Sequence, residues 1–362
     1  MKRIPLLVAM LFYFSSSMWT IEIKSLRVTA LDHDSENYIK RPGSFIVTRD
    51  DILFIFDSRS SDIKIYNADG KLLRVFGRSG MGPDEFIKPY ASAYKEPFIL
   101  IGDYGRKTLF IYKRINGDNL IFVKKRLFLD IGLDIHFIDE NKILVAGYKA
   151  DKSGKAYHLY EYDFKKDQYD FILTSENSFG FDSYKKFLKE YDERLSYIGL
   201  FQYIDYSNDS IYLAWTGDTA IIKINRKTKK YITFGHRTAN FVKPNVTPLI
   251  KKAYDERKHM TINKLRESMS YVRDVFVLSS DKVGLVYFGP YEPRTGMAVW
   301  LQLYTGNGEF LKELKVMNAK SPFHYDMFSY FRKDKNLLYI LDVETTDSFD
   351  QFHKIYEFRI EE

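Results

Sequence analysis

The sequence contains no cysteine among its 362 residues. This absence excludes disulfide bonds, thiolate metal sites, cysteine nucleophiles and an acylated cysteine of the lipoprotein type. Long apolar runs are also scarce, because beyond the first twenty residues no stretch approaches the roughly 20 apolar positions that a membrane-spanning helix needs. The chain beyond its N-terminus is therefore predicted to fold without disulfides and without crossing a membrane.

The short motifs that identify common reactions are missing as well. The stretch GDYGRKT at 102–108 has two residues between its glycines where a phosphate-binding loop has four, and in GRSGMG at 77–82 a glycine directly follows the serine, unlike a nucleophile elbow. The seven histidines form no His-x-His or His-Glu-x-x-His pair. No cofactor and no metal are predicted, and whether the protein is an enzyme stays open.

The charge is weakly positive and dispersed. Basic residues exceed acidic ones by 55 − 48 = 7, and the small basic clusters at 124–126 and 226–230 lie in or beside turn-like segments. Such clusters are typical of solvated turns and strand edges, so no nucleic-acid partner is predicted. An aromatic content of 17% is instead typical of a chain with a packed core.

The first twenty residues, MKRIPLLVAMLFYFSSSMWT, have the order of a secretory signal peptide. Lys2 and Arg3 precede an apolar run from Ile4 to Phe14, and Ser15 to Ser17 supply small residues suited to cleavage. Residues 1–20 are therefore predicted to be removed on export, with an uncleaved N-terminal anchor as the alternative. The mature chain is expected to be a periplasmic or secreted bacterial protein and a monomer.

A unit of four short β-strands recurs along the rest of the chain. In the first copy the strands are predicted at Ser44–Thr48, Ile52–Phe56, Ile63–Tyr66 and Leu72–Phe76, with the turn Asn67-Ala68-Asp69-Gly70 before the last. Four more copies follow, over 90–128, 133–174, 201–234 and 274–316. The third strand repeatedly carries an aliphatic residue followed by tyrosine, as at Ile65-Tyr66 and Ile111-Tyr112.

A sixth copy is incomplete, since only three strands are predicted between 327 and 360. The strand Glu22–Leu31 has no repeat of its own and can complete that last sheet. A ring closed in this way leaves no open sheet edge between its first and last units. The predicted fold is an all-β, six-bladed β-propeller over residues 21–362, closed by an N-terminal strand.

The stretch DSRSSDIKIYNADGKLLRVFGRSGMGPDEFIKP at 57–89 resembles the NHL repeat. That repeat combines an Asp-closed strand, a hydrophobic strand, a turn and a Phe-Gly-rich loop ending in proline. The matching residues are Phe76, Gly77, Gly80, Gly82, Phe86 and Pro89. The resemblance implies an exported bacterial six-bladed propeller of a kind that mostly has no assigned reaction. Asp57, Asp103 and Asp342 are expected to bind backbone amides rather than substrate.

Two segments interrupt the repeat, at about 180–200 and 245–272, and apolar residues at helical spacing predict an amphipathic helix in each. Both lie between the fourth strand of one blade and the first strand of the next. In a propeller these connections share one face with the loops between second and third strands. The two helical inserts are therefore expected at one mouth of the central channel.

The resulting function prediction is a non-catalytic propeller that binds a protein, peptide or glycan at the insert-bearing face. The candidate ligand-binding residues are arginine, aromatic and histidine side chains in or beside the loops of that face. They are Arg59, Arg78, Tyr104, Arg106, Trp215, His236, Arg237, Tyr291 and Arg294. The alternative is a metal-dependent hydrolase or lyase in the channel, similar to calcium-dependent lactonases, although no inner-strand set of Glu, Asn and Asp is apparent.

Overall fold

The computed structural model describes residues 21–32, 37–127, 131–174, 202–207, 209–243, 256, 267–321, 327–345 and 351–361. These residues form six four-stranded antiparallel sheets and one small two-stranded parallel sheet. The innermost strand of each four-stranded sheet contacts the innermost strands of the sheets on either side, so that the six sheets form a ring. The predicted six-bladed β-propeller is confirmed.

Each of the first five blades is a meander whose strands follow one another along the chain, beginning with the innermost strand. Blade 1 consists of β2 (Pro42–Val47), β3 (Leu53–Asp57), β4 (Asp62–Tyr66) and β5 (Leu72–Phe76). Blade 2 consists of β8 (Pro89–Lys95), β9 (Phe98–Asp103), β10 (Thr108–Arg114) and β11 (Leu120–Leu127). Blade 3 consists of β12 (Ile131–Phe137), β13 (Lys142–Ala150), β14 (Ala156–Asp163) and β15 (Gln168–Thr174).

The next two blades have the same order. Blade 4 consists of β16 (Gln202–Ser207), β17 (Ser210–Trp215), β18 (Asp218–Asn225) and β19 (Tyr231–Phe234). Blade 5 consists of β20 (Tyr271–Ser279), β21 (Lys282–Glu292), β22 (Gly296–Thr305) and β23 (Phe310–Ala319). All twenty predicted strands of these five copies are found, with ends shifted by a few residues.

Blade 6 joins the two ends of the chain. Its strands are β24 (Phe328–Arg332), β25 (Leu337–Thr345), β26 (Gln351–Glu361) and β1 (Glu22–Ala30), and the order across the sheet is β1-β26-β25-β24. Strand β1 runs antiparallel to β26 from the pair Glu22 with Glu361 to the pair Ala30 with Lys354. The predicted closure by the N-terminal strand is confirmed.

The hydrophobic cores lie between neighbouring blades. One of them combines Phe54 of blade 1 with Ile101 and Phe110 of blade 2, all at most 2% exposed. The same core contains Phe76 and Tyr112, whose rings meet edge to face with centroids 5.3 Å apart. Because each sheet contributes both faces to such cores, no blade can bury its apolar residues alone.

Buried carboxylates at the ends of second strands hold the segment that enters the same blade. Asp57 accepts hydrogen bonds from the amides of Lys40 and Arg41, on the chain segment that enters blade 1. Asp103 accepts the amides of Ile87 and Lys88 in the same way at the entry to blade 2. Asp342 accepts those of Lys320 and Ser321. The predicted structural role of these aspartates is confirmed.

The Phe-Gly loop after blade 1 contains a small parallel sheet of β6 (Arg78–Ser79) and β7 (Glu85–Phe86). Gly77 precedes it with φ +83°, and a Cβ at this position would lie 2.5 Å from the ring of Phe86. The backbone conformation and the close approach of the ring both require glycine there.

The predictions for the remaining segments have mixed outcomes. The signal peptide at 1–20, the helix at about 180–200 and most of the helix at 245–272 lie outside the described residues. At the end of the second range, Tyr271 and Val272 are not helical as predicted but belong to β20, where they pair with Phe288 and Tyr287 of β21. The described residues include no helix with the length and apolarity needed to cross a bilayer.

Removing the closing strand should destabilise the whole ring. We expect a chain that begins at Asp34 to lose at least about 3 kcal/mol of unfolding free energy relative to one that begins at Ile21, in urea unfolding. The reason is that Ile21 and Leu31, which flank β1, are only 5% and 4% exposed in two different cores. The control is Arg27→Ala, which removes an exposed ion pair and should cost less than about 1 kcal/mol. Equal stability of the two chains would contradict closure by β1.

The central channel as the candidate ligand site

The six innermost strands surround a central channel with a volume of about 420 Å³. Its lining comes from β2, β8, β12, β16, β20 and β24, so every blade contributes to it. A volume of this size falls in the range of small-molecule sites, which is roughly 300 to 1,000 Å³. The channel is therefore the candidate ligand site of the fold.

Three aspartates and a histidine from consecutive blades face this channel. Asp134 and His136 lie two residues apart on β12, Asp205 lies on β16 and Asp274 on β20. His136 Nε2 is 3.4 Å from Asp134 Oδ1, and His136 Nδ1 is 3.8 Å from Asp205 Oδ1. Burial lowers the pKa of His136, but the two carboxylates outweigh that effect and raise the pKa above its usual value.

Two of the three aspartates are held by neighbouring backbone. Asp134 Oδ2 accepts the amide of Ile204 in the next blade at 2.8 Å. Asp205 Oδ2 accepts the amide of Val277 in the blade after that at 2.7 Å, and its other oxygen accepts the amide of Tyr206 and the ammonium of Lys333. Both carboxylates thus link adjacent blades.

Asp274 differs from the other two aspartates. Among the described residues, no side chain forms a hydrogen bond or ion pair with its carboxyl group. Burial and the nearby charges of Asp134 and Asp205 raise the pKa of Asp274 well above its usual value. The channel therefore combines two carboxyl groups that accept amides of the next blade with one, that of Asp274, whose raised pKa favours the protonated form.

Aromatic and guanidinium groups form the adjacent part of the lining. Arg273 is buried, and its Nη1 donates to the hydroxyl of Tyr203 at 3.3 Å. Burial raises the pKa of Tyr90 to about 12, so this phenol stays protonated. Phe45, Phe328 and Tyr330 add further ring surface from blades 1 and 6. Aromatic faces beside polar groups are typical of sites for amphipathic small molecules.

A lysine crosses one mouth of the channel. Lys333 lies in the 3₁₀ turn Lys333–Lys335 after β24 of blade 6, and its Nζ reaches Asp205 Oδ1 at 2.6 Å and the carbonyl of Tyr206 at 3.0 Å in blade 4. Blade 5 stands between those two blades in the ring. The bridge therefore narrows the mouth formed by the loops between first and second strands.

The nine predicted binding residues do not line this channel in the described part of the chain. Trp215 is only 6% exposed in a core, with its ring 5.4 Å from that of His158. Arg106 donates to the carbonyls of Gly82, Glu85 and Met81 at 2.6–3.0 Å, which holds the Phe-Gly loop in place. In this structure, both side chains therefore contact other parts of the protein.

The other seven residues belong to several different blades and loops. Arg78 pairs with Glu85, Arg237 pairs with Asp218, and His236 stacks on Phe310 at 4.0 Å. Tyr291 packs partly on the core between blades 5 and 6. Arg59, Tyr104 and Arg294 are exposed, as are Arg78, His236 and Arg237. These contacts do not test whether a ligand binds at this face, and such binding stays a prediction.

Sequence reasoning missed the carboxylates of the channel. Asp134, Asp205 and Asp274 all lie on inner strands, and they form an all-aspartate group rather than a lactonase-like set of Glu, Asn and Asp. A usable signal was a charged residue inside an otherwise apolar first strand, as in IGLDIHF and YVRDVFVLS. The described residues nevertheless include no group of three or more acidic or histidine side chains placed to hold a metal ion.

No family model and no curated protein matches the sequence. Similar solved structures include a member of the DUF4221 family from Bacteroides vulgatus, with 12% identity and a TM-score of 0.62 over 95% of this chain and 99% of that one. Another is a protein from Bacteroides fragilis described as exported, with 12% identity and a TM-score of 0.56 over 94% of this chain and 96% of that one. These similarities show that the folds are alike.

Arg106 should contribute to the stability of the Phe-Gly loop. We expect Arg106→Ala to lower the unfolding free energy by about 1–3 kcal/mol in urea unfolding, because three loop carbonyls lose a charged donor. The matched control is Arg59→Ala, since the Arg59 side chain is exposed and makes no hydrogen bond with the described residues. An Arg106→Ala protein as stable as the control would contradict this role.

Asp274 should make stability depend on pH in a predictable direction. Because its pKa is raised in the folded protein, the folded state holds a proton that the unfolded chain has lost above about pH 4, and stability falls as pH rises. Asp274→Asn lacks this ionisation. We therefore expect the stability of Asp274→Asn relative to the native protein to grow between about pH 5 and 8 in thermal melts. A constant difference would show that Asp274 is ionised throughout.

Proposed function

We propose that the protein is an exported binding propeller that takes the end of a glycan into its central channel. The observation that carries this proposal is the mixed lining, in which carboxylates, a carboxylic acid, tyrosine hydroxyls and aromatic rings surround one cavity. A sugar presents hydroxyl groups at its edges and apolar C–H groups on its faces. The lining supplies partners for both.

The balance of charge in the channel favours an uncharged ligand. The carboxylates of Asp134 and Asp205 face the ammonium of Lys333 and the guanidinium of Arg273, while Asp274 tends to stay neutral. His136, with its raised pKa, balances part of the remaining negative charge. A strongly anionic or cationic ligand would leave one set of these groups uncompensated.

Serine hydroxyl groups extend the polar lining from the aspartates of blades 3, 4 and 5 to blades 1, 2 and 6. Ser92 Oγ of blade 2 donates to Ser44 Oγ of blade 1 at 3.0 Å. Ser329 Oγ of blade 6 is buried and has no hydrogen-bond partner among the described residues. Hydroxyls that both donate and accept are suited to the hydroxyl pattern of a carbohydrate.

The ligand would enter from the mouth opposite Lys333. That mouth is formed by the segments that enter each blade and by the loops between second and third strands, including the loop of Arg59. The exposed Tyr104 lies at this face and can contact the parts of a glycan that stay outside the channel. The insert-bearing face and the channel then belong to one binding site.

Two observations support export of the protein. The N-terminal order of Lys2, Arg3, an apolar run and three serines is that of a signal peptide. The similar protein from Bacteroides fragilis is described as exported. We therefore propose action in the periplasm or outside the cell.

Screening on a glycan array followed by calorimetry tests the proposed site. For a glycan that binds, we expect Asp274→Ala to weaken affinity at least tenfold, or about 1.4 kcal/mol, because a buried hydrogen-bonding group for a sugar hydroxyl is lost. The control is Asp209→Ala, which removes an exposed carboxylate of the loop between β16 and β17 that pairs with Lys227, at the mouth opposite the proposed entry and outside the channel lining.

Two results would contradict the channel proposal. Absence of binding to every glycan on the array would reject the ligand class. Unchanged affinity in Asp274→Ala, combined with a loss in Arg59→Ala or Arg294→Ala, would place the ligand on the outer loops instead. Proper folding of each variant is checked by circular dichroism.

A further inference from the structure

We propose that the channel also hydrolyses a glycosidic bond of the glycan it binds, with Asp274 as the proton donor and Asp134, positioned by His136, as the proton acceptor. This inference rests on the proposed glycan binding. It assigns the channel a reaction that needs only water as the second substrate.

The two roles follow from the unequal surroundings of the carboxyl groups. Asp134 accepts the amide of Ile204 in the next blade on one oxygen and faces the imidazole of His136 on the other. Asp274 lies in the same cavity, but its carboxyl group forms no hydrogen bond or ion pair with a side chain among the described residues, and its backbone donor is the adjacent amide of Val275. Carboxyl groups with opposite surroundings in one pocket are the arrangement that acid and base catalysis of glycoside cleavage uses.

Asp205 is excluded from either role. Its side chain is only 4% exposed, and its oxygens are occupied by the amides of Val277 and Tyr206 and by Lys333. Asp134 and His136 are more accessible, with side chains 21% and 35% exposed. Of Asp134 and Asp205, Asp134 is thus the one that a water molecule in the channel can reach.

The proposed reaction conserves atoms and protons. Asp274 transfers its proton to the glycosidic oxygen as the bond between that oxygen and the anomeric carbon breaks, and the leaving group departs as an alcohol. A water oxygen forms the new bond to the anomeric carbon, and its proton passes to Asp134. The proton then returns to Asp274 through the solvent in the channel, which restores both groups.

His136 acts as a positioning residue in this scheme. Its two nitrogens face Asp134 and Asp205 at 3.4 and 3.8 Å, so the ring lies between two carboxylates of adjacent blades. In that place it fixes the direction of the Asp134 carboxylate. It does not need to touch the substrate.

Leaving-group dependence tests the proton donor directly. The probes are two series of glycosides on the same sugars, one with 4-methoxyphenol and one with 2,4-dinitrophenol as the leaving group. The second leaves without needing a proton. We expect Asp274→Asn to lower kcat/KM at least about 100-fold on the first series and less than about tenfold on the second. Asp209→Asn, outside the channel, should change neither.

Asp134→Asn should lower turnover of both series, because the loss of the proton acceptor does not depend on the leaving group. Equal losses in Asp274→Asn on the two series, or no turnover of either series by the native protein, would overturn the proposal. Binding on the glycan array without turnover would reject hydrolysis and leave the binding function standing. Neither binding nor turnover would reject both.

Discussion

The antiparallel ladder between β1 and β26 is the contact on which the rest of the structure depends. It joins residues more than 300 positions apart in sequence, and through it the sixth sheet becomes a complete blade. Only a closed ring brings all six inner strands around one axis, because each blade packs its faces on two neighbours. The shape of the channel, and hence the spacing of Asp134, Asp205 and Asp274, follows from that closure.

Carboxylates accept hydrogen bonds from backbone amides at two distances from the axis of the ring. Asp57, Asp103 and Asp342 accept backbone amides where the chain enters a blade. Nearer the axis, Asp134 and Asp205 accept amides of the inner strand of the following blade. Asp274 is the exception, because it lies in the channel without such an amide from the next blade among the described residues. That departure is what makes it the candidate for contact with a ligand.

The strand repeats were predictable because each blade repeats a local pattern of β-branched and aromatic residues between turns. The roles of Asp57 and Gly77 could also be predicted, since both depend on turns a few residues away. The contacts of Arg106 and Trp215 could not be predicted, because sequence alone does not show that a guanidinium reaches three carbonyls of the preceding loop or that an indole lies in a core.

By itself, the sequence determined that the chain lacks cysteine chemistry, repeats a four-stranded unit and has one spare strand at its start to complete the last copy. These are local properties or counts, which can be determined without knowing the distances between residues. Only the tertiary structure decided which polar side chains meet, since Asp134 and Asp274 are 140 positions apart along the chain and come together solely because blades 3 and 5 face one axis. The reason is that all six inner strands, which are separated along the chain, contribute residues to the channel, and no single stretch of sequence contains the site.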